Sequence, residues 1–306
     1  MNQGLFGRLL KIIFWIVLVL ITAAVLLFGV YLLQLNRSNG KMIVDDELRR
    51  YLLYVPKSYD PAKATPLVIS IHGYAGSPVN QRDVSGWNRL ADENGFIVVY
   101  PSGTGFPRHW RASGTSESYK DVDFISALID KISKSYAIDP ARIYANGHSN
   151  GGGMSFMLSC TLADRIAAVG SVSGAYQFPW SQCQTRRAVP LIAFHGMADL
   201  IVPFTGGPSK LFNYPFPDIP TWISEYAVRN GCGTLQPMAS INEVSGEQFS
   251  GCTQGADVVF YTLAGAGHTW PGSSFRLPEW IVGKTSTSID ATSLIWQFYE
   301  QHPMKK

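Results

Sequence analysis

The stretch Ala145-Asn146-Gly147-His148-Ser149-Asn150-Gly151-Gly152-Gly153 constrains this chain more than any other, because it sets a serine between glycines where an apolar run ends and a helical pattern begins. Upstream, Ala141-Arg142-Ile143-Tyr144-Ala145-Asn146 follows the turn pair Asp139-Pro140 and carries the β-branched and aromatic residues of a buried strand. Downstream, Met154, Phe156, Met157 and Leu158 are spaced for a helix that ends near Cys160 and Leu162. A strand and a helix that meet at so tight a turn leave no room for a Cβ, hence glycine two residues before and two after the serine. The pattern predicts a strand, a strained turn and a helix, with Ser149 exposed at the apex as a nucleophile. A glycine-rich turn whose serine only caps the next helix is the alternative.

The remaining pattern places this unit in a larger sheet. Pro66-Leu67-Val68-Ile69-Ser70-Ile71 and Phe96-Ile97-Val98-Val99-Tyr100 are continuous apolar runs, as parallel strands buried on both faces require. Leu48 to Val55, Ile166 to Val172, Pro190 to Phe194 and Val258 to Leu263 add strands. Val122, Ile125, Leu128, Ile129 and Ile132 recur at helical spacing behind Asp121, a candidate cap, and Ile289 to Phe298 predicts a closing helix. Strands alternating with helices predict an α/β fold with a mostly parallel sheet and helices on both faces. At 306 residues, 46% of them hydrophobic, the chain can build one large core of this kind. A net charge of +3 without a basic cluster leaves no footprint for nucleic acid.

Ile12 to Leu33 contains no charged residue and is long enough to cross about 30 Å of hydrocarbon. The organisation expected is a short cytoplasmic tail over residues 1–11, a transmembrane signal-anchor helix over 12–33, a linker over 34–41 and a catalytic domain over 42–306. Secretion after cleavage of a signal peptide is the alternative, but cleaved segments have apolar regions of only about 7–15 residues and a small-residue site after them. Arg8 and Lys11 favour a cytoplasmic N-terminus, although Arg37, Lys41, Arg49 and Arg50 blunt the asymmetry. Cys160, Cys183, Cys232 and Cys252 form no Cys-x-x-Cys pair that would point to zinc or redox chemistry. Two disulfides between sequence neighbours, Cys160 with Cys183 and Cys232 with Cys252, fit an extracytoplasmic domain; buried free thiols are the alternative.

A neutral serine is a poor nucleophile, so Ser149 needs a histidine base and a carboxylate that orients it. In such sheets these groups gather at the carboxyl ends of strands, in the order serine, acid, histidine. Of the histidines after the serine, His302 lies in a polar tail and His195 ends a strand, which leaves His268 in the loop Gly265-Ala266-Gly267-His268-Thr269-Trp270-Pro271-Gly272. Asp199, leaving the strand that ends at His195, is the candidate acid; Asp218 lies between prolines and Asp257 precedes its strand. The developing oxyanion calls for two N–H donors, assigned to the backbone of Asn150 and of Tyr74 in His72-Gly73-Tyr74. No cofactor or metal is needed. Trp110, Trp222 and Trp270, among the rings Phe106, Phe178, Trp180, Phe212, Tyr214 and Phe216, are candidates to line a substrate groove, with packing beneath long loops as the alternative. Pro203 to Pro220 is the candidate lid or specificity loop.

Taken together, His72-Gly73, Gly147-His148-Ser149-Asn150-Gly151-Gly152, His195-Gly196-x-x-Asp199 and Gly267-His268-Thr269-Trp270-Pro271-Gly272 resemble the secreted feruloyl esterase and poly(3-hydroxybutyrate) depolymerase group of the α/β-hydrolases. The likeness runs from Leu52 to Tyr299. It implies an α/β-hydrolase fold, a triad of Ser149, Asp199 and His268, and hydrolysis of compact or aromatic acyl esters. Tyr74, where such enzymes often carry a smaller residue, and the N-terminal span depart from that pattern. An acyltransferase using the same triad and a non-catalytic binding protein of this fold are the competing readings.

Overall fold

All seven residues of Thr65–Ile71 are buried, and their side chains alternate between two separate cores. Leu67, Ile69 and Ile71 face one and Val68 the other, as the period of two in a strand requires. A strand so enclosed must lie mid-sheet with helices above and below. The structure, a computed structural model, describes residues 3–209, 211–212 and 214–305.

The chain divides into two units, residues 1–37 and 38–306. The first is the helix α1 (Gln3–Leu35), whose segment Leu10–Val30 is long and apolar enough to cross a membrane.

In the second unit the elements run β1 (Gly40–Val44), β2 (Glu47–Tyr54), β3 (Thr65–Ile71), α2 (Pro78–Ser85), α3 (Trp87–Asn94), β4 (Ile97–Pro101), α4 (Ser116–Ser135), β5 (Ile138–His148), α5 (Asn150–Thr161), β6 (Ala168–Val172) and β7 (Leu191–Gly196). They continue with β8 (Gly207–Pro208), β9 (Pro215–Phe216), α6 (Ile219–Arg229), β10 (Thr234–Ile241), β11 (Val244–Ser250), β12 (Val258–Leu263), α7 (Glu279–Val282) and α8 (Ala291–Gln301). Ten strands form one sheet in the order β1-β2-β4-β3-β5-β6-β7-β12-β11-β10. The six from β4 to β12 pair in parallel, and antiparallel hairpins close both edges. Buried residues of α4, α5 and α6 fill the core on one face, and those of α3 and α8 fill the other. This is an α/β sheet with helices on both faces. It carries the ends of β3, β5, β7 and β12, and therefore the loops after them, to one edge.

Three local expectations change. Gly40 and Lys41, expected in a linker, open β1, which turns into β2 through Asp45 and Asp46, both at positive φ. Asp139 and Pro140 lie within β5 rather than in a turn ahead of it. Asp121 caps nothing: α4 begins after Thr115, and Asp121 lies buried inside it, 2.8 Å from Arg49 Nη1 and 2.9 Å from Arg111 Nη2. Between Pro203 and Cys232, α6 buries Trp222, Ile223 and Tyr226 in the core and so offers no free apolar face for a lid. Disulfides join Cys160 to Cys183 and Cys232 to Cys252.

Candidate active site

Ser149 sits between β5 and α5 at φ 57° and ψ −120°, a backbone conformation that costs an L residue about 1–3 kcal/mol. It occupies the N-cap position, yet its side chain caps no helix N–H, so the hydroxyl is not spent on the turn. The glycines explain how strand and helix come so close. A Cβ on Gly147 would lie 2.3 Å from the Gly151 carbonyl, and one on Gly151 would lie 2.2 Å from the Ile71 oxygen. Ser149 N–H donates to Val172 O at 2.9 Å, and Ser149 O accepts from Gly153 and Ala175 N–H at 3.0 Å each. Neighbouring strand and helix thus hold the strain in place.

His268 lies in the loop after β12, which is pinned to the α7 segment by His268 N–H to Val282 O at 2.6 Å and Gly267 N–H to Lys284 O at 2.9 Å. Its Nδ1 is 2.7 Å from Asp199 Oδ2. An ionised carboxylate only accepts, so the proton is assigned to Nδ1 and the lone pair of Nε2 is left for a substrate-side proton. The other oxygen, Asp199 Oδ1, accepts from Ile201 and Val202 N–H at 2.8 and 2.9 Å. Burial pushes the Asp199 carboxyl up, but the His268 charge and hydrogen bond, then His195 and the Val202 N–H, outweigh it and hold the group below the usual carboxylate range. The rival acids are engaged elsewhere: Asp218 caps α6, and Asp257 faces Gln248 and His302.

Two further histidines stand behind this pair. His195 Nε2 donates to Val202 O at 2.9 Å and lies 3.5 Å from Asp199 Oδ2, and burial holds it neutral. His148, between nucleophile and strand, packs against the His268 ring at 4.9 Å between centroids. Burial first, then the charge of His268, pushes its pKa down to about 3.

The candidate oxyanion segments adjoin the serine. A Cβ on Gly73 would lie 3.3 Å from Ser149 Cβ, so the turn His72-Gly73-Tyr74 runs beside the nucleophile. Asn150 is buried, and its side chain exchanges two bonds with one backbone residue, accepting from Trp110 N–H at 2.7 Å and donating to Trp110 O at 3.0 Å. That clamp ties the start of α5 to the loop after β4.

The three candidate tryptophans are not open platforms. Trp110 is 2% exposed and donates to His72 O; Trp270 is equally buried and donates to Thr292 Oγ1. Trp222 stacks on Tyr176 within the aromatic core. Packing is the role their burial gives them. Rings left open in these loops are Tyr74, Phe106 and Tyr214, with Phe212 edge-on to Tyr74. Lys210 and Asn213 of the candidate lid lie outside the described residues. Among the described residues no cluster of His, Cys, Asp or Glu is placed to hold a metal ion.

The model of the family described as Esterase PHB depolymerase matches residues 49–182, which hold the turn after β3, the elbow and α5. The chain fits the α/β-hydrolase esterase group. This esterase is 28% identical over 280 residues to NocK of Nocardia uniformis subsp. tsuyamanensis, a protein named as an esterase, covering 84% of the chain and 81% of NocK. It is 30% identical over 230 residues to feruloyl esterase B of Piromyces equi, covering 72% of the chain but only 42% of that larger protein. Thermogutta terrifontis esterase 2 phosphorylated by paraoxon shares its fold, with a TM-score of 0.55 at 14% identity over 87% of this chain and 95% of the other.

Proposed function

We propose that the esterase hydrolyses carboxylic esters through an acyl-enzyme on Ser149, with His268 as general base and Asp199 as the carboxylate that orients it. The observation that carries this reading is the Asp199–His268 bond, which leaves Nε2 unprotonated in a site whose serine side chain caps no helix N–H. Ser149 Oγ attacks the ester carbon while His268 Nε2 takes its proton, and the carbonyl π pair moves onto oxygen, where the N–H groups of Tyr74 and Asn150 receive it. Collapse expels the alcohol, which takes the proton from His268; water then repeats the sequence and releases the acid.

The acyl group is compact or aromatic. The relative named feruloyl esterase and the family's depolymerase name support this choice. So do the open rings of Tyr74 and Tyr214, with Phe212 edge-on to Tyr74, the residue after Gly73 in the turn beside Ser149. Aromatic stacking is worth about 0.5–1.5 kcal/mol beyond burial. α1 anchors the enzyme in a membrane, with the disulfide-bonded domain outside the cytoplasm.

Aryl esters from acetate to palmitate, compared with methyl ferulate and a hydroxybutyrate oligomer, test the substrate reading. A long acyl tunnel gains about 0.8 kcal/mol per buried CH₂ and produces rising kcat/KM with chain length. The expected result is a fall; a maximum at about twelve carbons or more refutes it.

A further inference from the structure

Arg186 and Arg187 are neighbours in sequence with opposite uses. Arg187 spends its guanidinium on the Ala163, Ile166 and Ala167 carbonyls. Arg186 is exposed and, with Arg229 of α6, lines a cavity of about 230 Å³. Among the described residues, neither Arg186 nor Arg229 belongs to the arginines that pair with a carboxylate. No Asp or Glu lines this cavity, and Glu225, one turn before Arg229, lines a different cleft. Two cations at one hollow without a carboxylate make it a site of positive potential, which favours an anion.

The floor of the cavity is held by its own bonds. Val189, Tyr226 and Asn230 are buried there, and Val189 O accepts from Tyr226 Oη at 3.0 Å and from Asn230 Nδ2 at 2.9 Å. Asn230 Nδ2 also donates to Ala256 O at 2.8 Å. The Cys160–Cys183 disulfide ties the loop that carries Arg186 to α5. Arg229 lies over the Trp180 ring, 5.1 Å from its centroid, and a guanidinium stacked in this way keeps its N–H edge for an acceptor.

This place is not the catalytic centre. Ser159, in its wall, follows Ser149 by ten residues along α5, about 15 Å at the rise of a helix. The cavity is also smaller than the roughly 300–1,000 Å³ of drug-sized sites, so it takes a small molecule.

We propose that this cavity binds a small organic acid, whose carboxylate is received by Arg186 and Arg229 and whose short apolar or aromatic body lies against Trp180 and Val189. The planar fork of arginine matches a carboxylate, and the indole face supplies the apolar contact. Ester hydrolysis releases acids of this chemistry, yet binding here needs no turnover, so the proposal stands apart from the assignment of Ser149.

The test titrates full-length protein in detergent with para-fluorobenzoate, read by fluorine NMR, in wild type before and after fluorophosphonate labelling and in Ser149→Ala. Binding is expected in all three, with a Kd on the order of 1 mM for so small a ligand. Arg186→Gln and Arg229→Gln are each expected to weaken it roughly tenfold, and the double variant to abolish it. Both side chains are exposed, so the variants should hydrolyse a short aryl ester at the wild-type rate. Inorganic phosphate and the methyl ester of the probe should compete at least about tenfold less well, because one lacks the apolar body and the other the charge. Loss of binding on fluorophosphonate labelling places the probe at Ser149 and overturns the proposal, as does unchanged binding in an active double variant. Equal competition by phosphate or by the methyl ester overturns the class of ligand.

Discussion

Asp199 divides its two oxygens between different tasks: Oδ2 takes the Nδ1 proton of His268 at 2.7 Å, and Oδ1 takes the N–H groups of Ile201 and Val202. One carboxylate thus orients the imidazole and shapes its own loop.

We predict that Asp199→Asn separates these tasks. The amide oxygen can keep the loop bonds, while the amide nitrogen meets His268 as a donor and forces the proton onto Nε2. The expected loss in kcat is about 10³–10⁴-fold, with a melting temperature little changed. Steady-state kinetics on a short aryl ester, read beside thermal unfolding, checks it; an unaltered kcat contradicts the role given to Asp199.

A second prediction concerns the buried pair Arg49 and Asp121, only 1% and 0% exposed and 2.8 Å apart, with the guanidinium over the Phe124 ring. Asp121 also accepts from Arg111 N–H, next to the residue that clamps Asn150. Asp121→Ala leaves the buried Arg49 with only the longer contact to the partly exposed Glu47, 3.5 Å away, and is expected to cost about 3 kcal/mol. Adding Arg49→Met should return part of that loss, because the second change removes the stranded charge. A double variant as unstable as the sum of the two singles contradicts the pairing. Denaturant unfolding measures all three.

The buried histidines set the pH dependence of stability. Burial lowers the pKa of His72 to about 4 and of His148 to about 3, and lowers that of His195 as well. Above about pH 6.5, the ordinary histidine value, both folded and unfolded chains carry them neutral, and no penalty arises. As pH falls below that value the unfolded chain takes up protons that the folded one refuses. Stability should therefore decline by about 1.4 kcal/mol per pH unit for each histidine until the folded values are reached. Urea unfolding between pH 7 and pH 4 follows this, and His148→Phe should flatten the slope. A flat profile in the wild type contradicts the neutral assignment.

Much of this architecture is legible in local sequence, for reasons that also explain the gaps. The apolar runs of β3 and β4 and the glycines around Ser149 announce themselves because burial on both faces and close approach each restrict residue type at consecutive positions. β10 carries no such pattern: most of it is exposed, it lies at the sheet edge, and its hairpin partner supplies the pairing. Asp121 looks like a cap because the partner that decides its role, Arg49, is on a distant strand. The same holds for the tryptophans, since an aromatic in a loop reads alike whether it faces substrate or seals the core. In the sequence His72 reads only as part of a turn. The tautomer of its ring depends on the Gly103 N–H, which arrives from the loop after β4.

Mass mapping of the site modified by a fluorophosphonate tests the assignment of Ser149 as nucleophile most directly. One adduct per chain is expected, on the peptide carrying Ser149, formed in wild type and absent in Ser149→Ala, together with loss of ester hydrolysis in that folded variant. An adduct on another residue, or full hydrolysis by a folded Ser149→Ala protein, contradicts it.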